Sequence, residues 1–94
     1  MAAMDLLGRR WALRILWELS GGPLGARALL ARCEGLSSSV LYERLRELTE
    51  AGLIGHHDAS AYELTSLGRK LNRAIAPLDG WSKSWARERA RAAG

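Results

Sequence analysis

The sequence predicts a single, mainly helical α+β domain over residues 1–94. Stretches that contain glycine or proline divide the chain into five units. Four of the units carry apolar residues at the helical period, and the remaining unit has two short extended stretches around a polar turn. The predicted order is therefore helix, short helix, helix, hairpin and long helix.

The first unit predicts a helix from Met4 to Leu19 that stops at the turn Ser20-Gly21-Gly22-Pro23. One apolar stripe of this helix, which we expect in the domain core, consists of Met4, Leu7, Trp11, Ala12, Ile15 and Leu19. A second stripe, almost opposite, consists of Leu6, Leu13 and Trp17. A chain of this length has a marginal core, so we expect a partner subunit to cover the second stripe.

A helix-turn-helix is predicted over about residues 27–51. Its first helix covers about Arg27–Cys33 and stops at Glu34-Gly35. Ser37 is expected to cap the second helix, because the serine hydroxyl can accept hydrogen bonds from the first free backbone amides. This helix continues through Ala51 and stops at Gly52. The single apolar stripe of this helix, spaced i, i+4 and i+7, consists of Leu41, Leu45 and Leu48.

A hairpin is predicted over about residues 53–64, with a polar turn at Asp58-Ala59-Ser60. Thr65 or Ser66 can cap the last helix, which is predicted over about residues 66–91. The apolar seam of this helix alternates steps of four and three and consists of Leu67, Leu71, Ala74, Leu78, Trp81 and Trp85. Pro77 lacks an amide hydrogen, so we expect one bent helix or two short ones.

Charge is distributed unevenly along the chain, whose formal net charge is +4. Residues 69–94 contain seven basic and two acidic residues, a local charge of +5, and residues 1–68 sum to −1. The basic outer face of the last helix consists of Arg69, Arg73, Lys83, Arg87 and Arg91. Such a face can steer a polyanion such as DNA without reading its sequence.

Several function classes lack their sequence signals. No apolar run reaches the about 20 residues of a membrane-spanning helix, and the first residues do not form a signal peptide, so we expect a cytoplasmic protein with no membrane partner. Cys33 is interpreted as a small apolar residue, with a thiol sensor as the alternative. His56 and His57 are neighbours on a strand and point to opposite faces, so they cannot share a metal. We expect no metal, no cofactor and no enzymatic activity, because no catalytic constellation can be assembled.

The order helix, glycine turn, helix and hairpin is that of a winged helix-turn-helix domain. Seven segments of the chain form a further pattern: LGRRWALRILWEL at 7–19, GPL at 22–24, GLS at 35–37, VL at 40–41, RLREL at 44–48, AGLI at 51–54 and YELTSLGR at 62–69. In these segments, and in their order, the chain resembles the HxlR-type family of bacterial winged-helix regulators. The resemblance implies a homodimer on a palindromic operator, with the helix from Ser37 as the recognition helix and the hairpin as the wing.

The chain departs from the family pattern at three places. Family members usually have a cysteine close to the N-terminus, which some use as a redox sensor, and nothing here occupies that place. The family wing is longer and carries arginine, whereas this wing shrinks to the turn at 58–60. The arginine and the aromatic residue that usually follow the leucine matching Leu24 are replaced by Gly25 and Ala26.

Exposed side chains near the start of a major-groove helix read base edges. The residues expected to contact double-stranded DNA are Ser37, Ser38, Ser39, Tyr42, Glu43, Arg44 and Arg46, and in the wing His56, His57 and Ser60. Arg46 is expected on a phosphate, and Arg44 either on a phosphate or in an ion pair, with Glu47 or Glu50 of its own helix or with a neighbouring helix. The alternative is that these side chains are merely solvated.

The expected dimer interface is rich in aromatic residues, as interfaces between subunits often are. It consists of Leu6, Leu13, Trp17, Leu71, Leu78, Trp81 and Trp85. A small hydrophobic effector held between tryptophans is an alternative use of this surface. The main hypothesis is a DNA-binding transcriptional regulator, and the alternative is a winged-helix module that binds proteins and no longer reads DNA.

Overall fold

The computed structural model describes residues 2–94, which form six helices and three strands. In chain order the elements are α1 (Ala2–Leu7), α2 (Ala12–Leu19), β1 (Leu24–Gly25), α3 (Ala26–Arg32), α4 (Ser38–Glu50), β2 (Ile54–Asp58), β3 (Ala61–Leu64), α5 (Ser66–Ile75) and α6 (Pro77–Ala93). The helices α3 and α4 follow each other across a short turn, and β2 and β3 form the hairpin after them. The predicted fold class, mainly helical with a small β-hairpin, is confirmed.

The core lies between α2, α3, α4 and the sheet. Its largest fully buried side chains are Ile15, Leu16, Leu29, Cys33, Leu41, Leu45, Leu48 and Ile54. Three of these residues are the leucines of the predicted α4 stripe. The i, i+4, i+7 spacing therefore identifies the buried face of α4 correctly, because residues at that spacing lie on one side of a helix.

The single helix predicted from Met4 to Leu19 is wrong, because the chain turns at residues 8–11 and separates α1 from α2. Trp11 has a left-handed backbone with φ of 77°, a conformation that costs about 1–3 kcal/mol. Packing of Trp11 against the core cluster offsets this cost. The turn also takes α1 out of line with the α2 stripe, so Met4, predicted in the core, is 65% exposed.

The sheet is antiparallel and has the strand order β1-β3-β2. The sequence pattern does not predict β1, since its two residues are too few to show an alternation. Gly25 permits this pairing, because a Cβ there would lie 2.7 Å from the carbonyl oxygen of Ser60. Ile54 and Leu64 face each other across the hairpin and are both buried, which joins the base of the hairpin to the core.

Thr65 ends the hairpin and caps α5, as predicted. Its Oγ1 accepts a hydrogen bond from the amide of Gly68 at 3.1 Å. Gly68 lies so close to the start of the hairpin that a Cβ would be 2.0 Å from the carbonyl oxygen of Leu53. The amide group of Asn72 donates to the carbonyl oxygen of Leu16 at 2.8 Å. These contacts fix α5 against the hairpin on one side and against α2 on the other.

The last helical segment is divided at Pro77, as the sequence predicts. Helix α5 ends at Ile75, and Pro77 opens α6, where a missing amide hydrogen leaves no helical hydrogen bond unmade. Every residue from 76 to 94 is exposed. The apolar seam of α6 therefore lies largely open, since residues 2–94 cover it only in part.

Candidate nucleic-acid interface

The candidate interface is built on α4, whose two faces differ in burial. Ser37 sets the start of the helix, because its Oγ accepts a hydrogen bond from the amide of Val40 at 3.3 Å. The buried face consists of Leu41, Leu45 and Leu48. The exposed residues of the cap and of α4 that the sequence predicts on DNA are Ser37, Ser38, Ser39, Tyr42, Glu43 and Arg46.

The exposed face near the start of α4 carries hydroxyl groups and one carboxylate. The Oγ atoms of Ser37 and Ser39 are 3.3 Å apart, and Tyr42 is 55% exposed. Hydroxyls donate to or accept from several base edges, whereas a carboxylate such as that of Glu43 can accept from the amino group of cytosine. This face thus offers the groups with which a major-groove helix distinguishes bases.

Arg44 lies at the flank of α4 and is much less exposed, with 12% of its side-chain area accessible. Its Nε donates to the carbonyl oxygen of Arg10 at 2.8 Å, and its Nη1 donates to Glu47 Oε1 at 2.7 Å. Of the two roles that the sequence leaves open for Arg44, the structure contains the ion pair. Contact of Arg44 with a phosphate stays a prediction.

Ion pairs balance the acidic residues of α4. Glu47 lies 2.9 Å from Nε of Arg9 and 2.7 Å from Nη1 of Arg44. Glu50 pairs with Arg46 at 3.2 Å, with 66% and 63% of the two side chains exposed. Since an exposed pair contributes about 0–1 kcal/mol, Arg46 can leave Glu50 for a phosphate at little cost. The negative charge of α4 is therefore a smaller obstacle to DNA than its sequence indicates.

Arg9 and Arg10 are residues beside this interface that the sequence analysis does not find. Their turn contacts α4 through the Arg10 carbonyl and through the ion pair between Arg9 and Glu47. The guanidinium of Arg10 lies over the ring of Trp11, 5.5 Å from its centroid. Arg10 and Arg44 are 34 positions apart. Spacing rules describe neighbours within one helix, so no pattern in the sequence could have revealed this contact.

The hairpin places its predicted residues at its exposed end. Asp58 Oδ1 accepts hydrogen bonds from the amide and the hydroxyl of Ser60, at 2.8 and 3.0 Å, and these bonds lower the pKa of Asp58. His57 Nδ1 pairs with a carboxylate oxygen of Glu63, and the ring of His56 packs on Tyr62 with the centroids 4.7 Å apart. The two histidines thus have different neighbours, consistent with the opposite faces expected for adjacent strand residues.

Two apolar grooves include residues of α5, and the predicted dimer residues lie in them or beyond them on α6. The α1–α5 groove, of about 450 Å³, is lined mainly by Leu6, Leu7, Leu53, Leu67, Lys70 and Leu71. The α2–α6 groove, of about 200 Å³, is lined mainly by Leu13, Trp17, Ile75 and Leu78. The rings of Trp81 and Trp85 stack with their centroids 6.2 Å apart, and the two residues are 60% and 54% exposed. All seven predicted interface residues are at least partly accessible.

Cys33 belongs to the core cluster and is completely buried. Burial raises the pKa of its thiol, which disfavours the reactive thiolate. This environment is that of the small apolar residue that the sequence predicts. Within residues 2–94, no three side chains of His, Cys, Asp or Glu come together in a way that could hold a metal ion.

A helix-turn-helix that is followed directly by a β-hairpin defines the winged helix-turn-helix class of proteins. A family model described as HxlR-like helix-turn-helix matches residues 6–90. The chain belongs to this family. The resemblance in segments such as 7–19 and 62–69 is thereby confirmed.

Two relatives show how far the similarity extends. YvaP of Bacillus subtilis strain 168, described as an uncharacterized HTH-type transcriptional regulator, is 29% identical over 89 residues, which are 88% of this chain and 82% of YvaP. Rv3095 of Mycobacterium tuberculosis strain H37Rv has the same description and is 37% identical over 89 residues, 88% of this chain and 56% of Rv3095. The chain thus spans a little over half the length of the mycobacterial relative.

Solved structures of other regulators have the same fold. Quinone-bound YodB from B. subtilis superposes with a TM-score of 0.79 at 28% identity, over 88% of this chain and 92% of YodB. A transcriptional regulator of the MarR family from Enterococcus faecalis V583 gives a TM-score of 0.77 at 28% identity, over 96% of this chain and 87% of that protein. Both comparisons confirm the winged-helix fold.

The family model describes a helix-turn-helix, and the relatives and the solved structure are described as transcriptional regulators. They support the assignment of this chain as a DNA-binding regulator. Of the helices within residues 2–94, none is both long enough and apolar enough to cross a membrane.

Proposed function

We propose that this chain is a sequence-specific transcriptional regulator that binds a palindromic operator as a homodimer. Helix α4 is the recognition helix in the major groove, and the hairpin β2–β3 is the wing. The observation that carries the proposal is the division of α4 into a buried leucine face and an exposed polar face. Because the leucines must stay in the core, the polar face is the side of α4 that can meet bases.

The residues of this face have different roles in the proposal. Ser39 and Glu43 contact base edges, Tyr42 meets a thymine methyl group or a phosphate, and Arg46 binds a phosphate. In the wing, His56, His57 and Ser60 contact the DNA backbone. Two copies of α4, related by the dimer axis, read half-sites about one helical turn, roughly 10 bp, or a multiple of it apart.

The dimer is proposed to form through the helices predicted over about residues 4–19 and 66–91, which are α1, α2, α5 and α6. What supports this is the amount of apolar surface that remains open there: the α1–α5 groove, the α2–α6 groove, and the stacked rings of Trp81 and Trp85. Exposed apolar side chains that lie close together often mark a surface that binds another protein. We propose that a second copy of the chain covers this surface.

A small hydrophobic effector is the alternative occupant of the predicted dimer surface. The sequence predicts it between tryptophans, whereas the larger of the two grooves, the α1–α5 groove, is lined by alanine, leucine and lysine side chains. The groove has a volume of about 450 Å³, within the range of ligand sites, and the structural neighbour YodB was solved with a quinone. A melting temperature that rises with an added quinone in the wild type, but not in a Leu71→Trp variant that narrows the groove, supports this candidate. An unchanged melting temperature of the wild type rejects it for quinones.

The experiment that tests DNA reading starts with selection of binding sites from a random library of duplexes. Affinities for the selected site and for random DNA are then measured at several salt concentrations. Ser39→Ala and Glu43→Ala should each lower discrimination at particular positions by about 1–3 kcal/mol. Arg46→Ala should weaken binding to both kinds of DNA and reduce the salt slope by about one unit.

Arg32→Ala is the matched control for Arg46→Ala, since it also removes one exposed arginine but lies at the end of α3. It should leave the salt slope nearly unchanged. If the selection enriches no sequence, or if all α4 variants bind both kinds of DNA like the wild type, the reading role of α4 is wrong. A winged-helix module that binds proteins is then the better description.

A further inference from the structure

The turn between α1 and α2 is tied to the middle of α4 by a polar cluster, here called the α4 anchor, which consists of Arg9, the carbonyl group of Arg10, Arg44 and Glu47. Arg44 donates from Nε to the Arg10 carbonyl at 2.8 Å and from Nη1 to Glu47 at 2.7 Å. The second carboxylate oxygen of Glu47 pairs with Nε of Arg9 at 2.9 Å. Both oxygens of Glu47 and two nitrogens of Arg44 are therefore engaged.

The geometry of the α4 anchor restrains rotation as well as distance. A guanidinium is a rigid planar fork, so two bonds from Arg44 to acceptors on different elements fix the plane of the group. Only 12% of the Arg44 side chain and 15% of the Glu47 side chain are accessible, and partly buried pairs are screened less by salt than exposed ones. The Arg46–Glu50 pair on the same helix lacks this protection.

The turn that receives the α4 anchor is itself held in place. Its last residue, Trp11, has φ of 77° and packs against the core. A Cβ on Gly35, in the turn between α3 and α4, would lie 3.8 Å from an atom of the Trp11 ring. The α1–α2 turn therefore lies close to the α3–α4 turn at Trp11, and it is bonded to the middle of α4 through Arg44.

The leucine stripe of α4, formed by Leu41, Leu45 and Leu48, holds the helix on the core along one narrow row. Contacts along a single row restrain rotation about that row less than contacts at the flank of the helix do. Base reading requires side chains within about 0.5 Å and 10–20° of their productive positions. A restraint at the flank of the helix limits rotation about the leucine row.

We propose that Arg44 and Glu47 are positioning residues, which set the angle at which α4 enters the major groove and thereby its discrimination among bases, without touching a base. This inference rests on the proposed function of α4. Breaking the α4 anchor is therefore expected to lower the discrimination among DNA sequences, and not merely the stability of the fold.

A second polar cluster in the same molecule provides a matched control. Arg14 Nε pairs with Glu18 at 2.7 Å, Arg14 Nη2 donates to the carbonyl oxygen of Arg32 at 2.7 Å, and Arg32 lies 3.5 Å from Glu18. It also consists of two arginines, one glutamate and one main-chain carbonyl, and its glutamate is 16% accessible. This cluster joins α2 to the end of α3 and includes no residue of α4.

The test compares Glu47→Ala and Arg44→Lys with Glu18→Ala, using the site selected by the wild type. The ratio of affinities for this site and for random DNA should fall about tenfold in Glu47→Ala and Arg44→Lys, the loss expected for one good base contact. Lysine has a single ammonium group and cannot bridge the carbonyl and the carboxylate as the fork does. Binding to random DNA should not weaken in Glu47→Ala, because a negative charge near the phosphates is removed. Glu18→Ala should lower the melting temperature by a similar amount and leave the ratio unchanged.

If Glu47→Ala does not fold, Glu47→Gln takes its place in the test, since glutamine keeps the shape of the side chain and removes its charge. An unchanged affinity ratio in the folded variants at 44 and 47, with a clear preference in the wild type, overturns the positioning role and leaves the proposed function intact. An equal fall of the ratio in Glu18→Ala also overturns it, because general destabilisation then explains the loss. A wild type that prefers no sequence refutes the proposed function, and the positioning role with it.

Discussion

Helices α4 and α6 both carry apolar residues in steps of three and four, but only α4 has its apolar face covered by its own chain. The leucines of α4 are at most 2% exposed, whereas Leu78, Trp81 and Trp85 of α6 are 45 to 60% exposed. The two helices teach that such a pattern specifies an apolar face and not the molecule that covers it. In α4 the cover is the core, and in α6 we propose a second copy of the chain.

The largest effect is expected from a cavity under α4. Leu45→Ala should lower the free energy of unfolding by about 2–5 kcal/mol, because the side chain is only 2% exposed and its removal leaves a void. Urea unfolding followed by circular dichroism measures the change. Leu78→Ala is the same substitution on α6. It should lower the free energy of unfolding far less, when measured at a concentration where the protein is monomeric. Equal losses of unfolding free energy in the two variants would contradict the difference in burial between the apolar faces of α4 and α6.

The double variant Leu78→Ala with Trp85→Ala tests whether a second copy of the chain packs on the apolar face of α6. If two copies bury this surface against each other, the loss should weaken the dimer by at least about 100-fold, since burial of each such side chain is worth about 1.5–3 kcal/mol and each subunit loses two of them. Sedimentation velocity measures the association. The variant should be monomeric while its far-ultraviolet spectrum stays that of the wild type, and a wild type that is monomeric at micromolar concentration would remove the dimer altogether.

Two glycines of the C-terminal region sharpen the same contrast. Gly68→Ala should destabilise the fold by about 1–3 kcal/mol or more, because its Cβ would meet the Leu53 carbonyl oxygen at 2.0 Å. Gly80→Ala in α6 should stabilise by about 1 kcal/mol, since the space around Gly80 is open and alanine is the better helix former. Thermal unfolding of both variants checks the opposite signs. A destabilising Gly80→Ala would show that the space around Gly80 is occupied, and a stabilising Gly68→Ala would contradict the close approach to the Leu53 carbonyl.

The smallest effect is expected at the end of α6. Truncation after Trp85 removes Arg87, Arg89 and Arg91 together with Glu88. Affinity for the selected site and for random DNA should fall by about the same factor, because these residues steer DNA through their charge. Titrations at two salt concentrations measure both affinities. A loss restricted to the selected site would mean that this segment contributes to sequence choice.

Much of the candidate site could be predicted because it depends on local geometry. The cap at Ser37, the leucine face of α4 and the exposed positions of Ser39, Tyr42 and Glu43 all follow from helix periodicity and from capping chemistry. Arg44 could not be assigned in this way. Its two possible partners, a phosphate and an acidic side chain, are both compatible with its position on the flank of the helix.

The sequence by itself determined α3, α4, the hairpin and the break at Pro77, since each depends on interactions between residues that are close along the chain. Only the tertiary structure decided the turn at residues 8–11, the strand β1 and the α4 anchor. The apolar periodicity from Met4 to Leu19 favours one continuous helix. In the folded chain this helix is interrupted where Trp11 packs against the core and the Arg10 carbonyl accepts a hydrogen bond from Arg44. The physical reason is that such contacts join residues far apart in the chain, so their energy exists only once the elements have packed together.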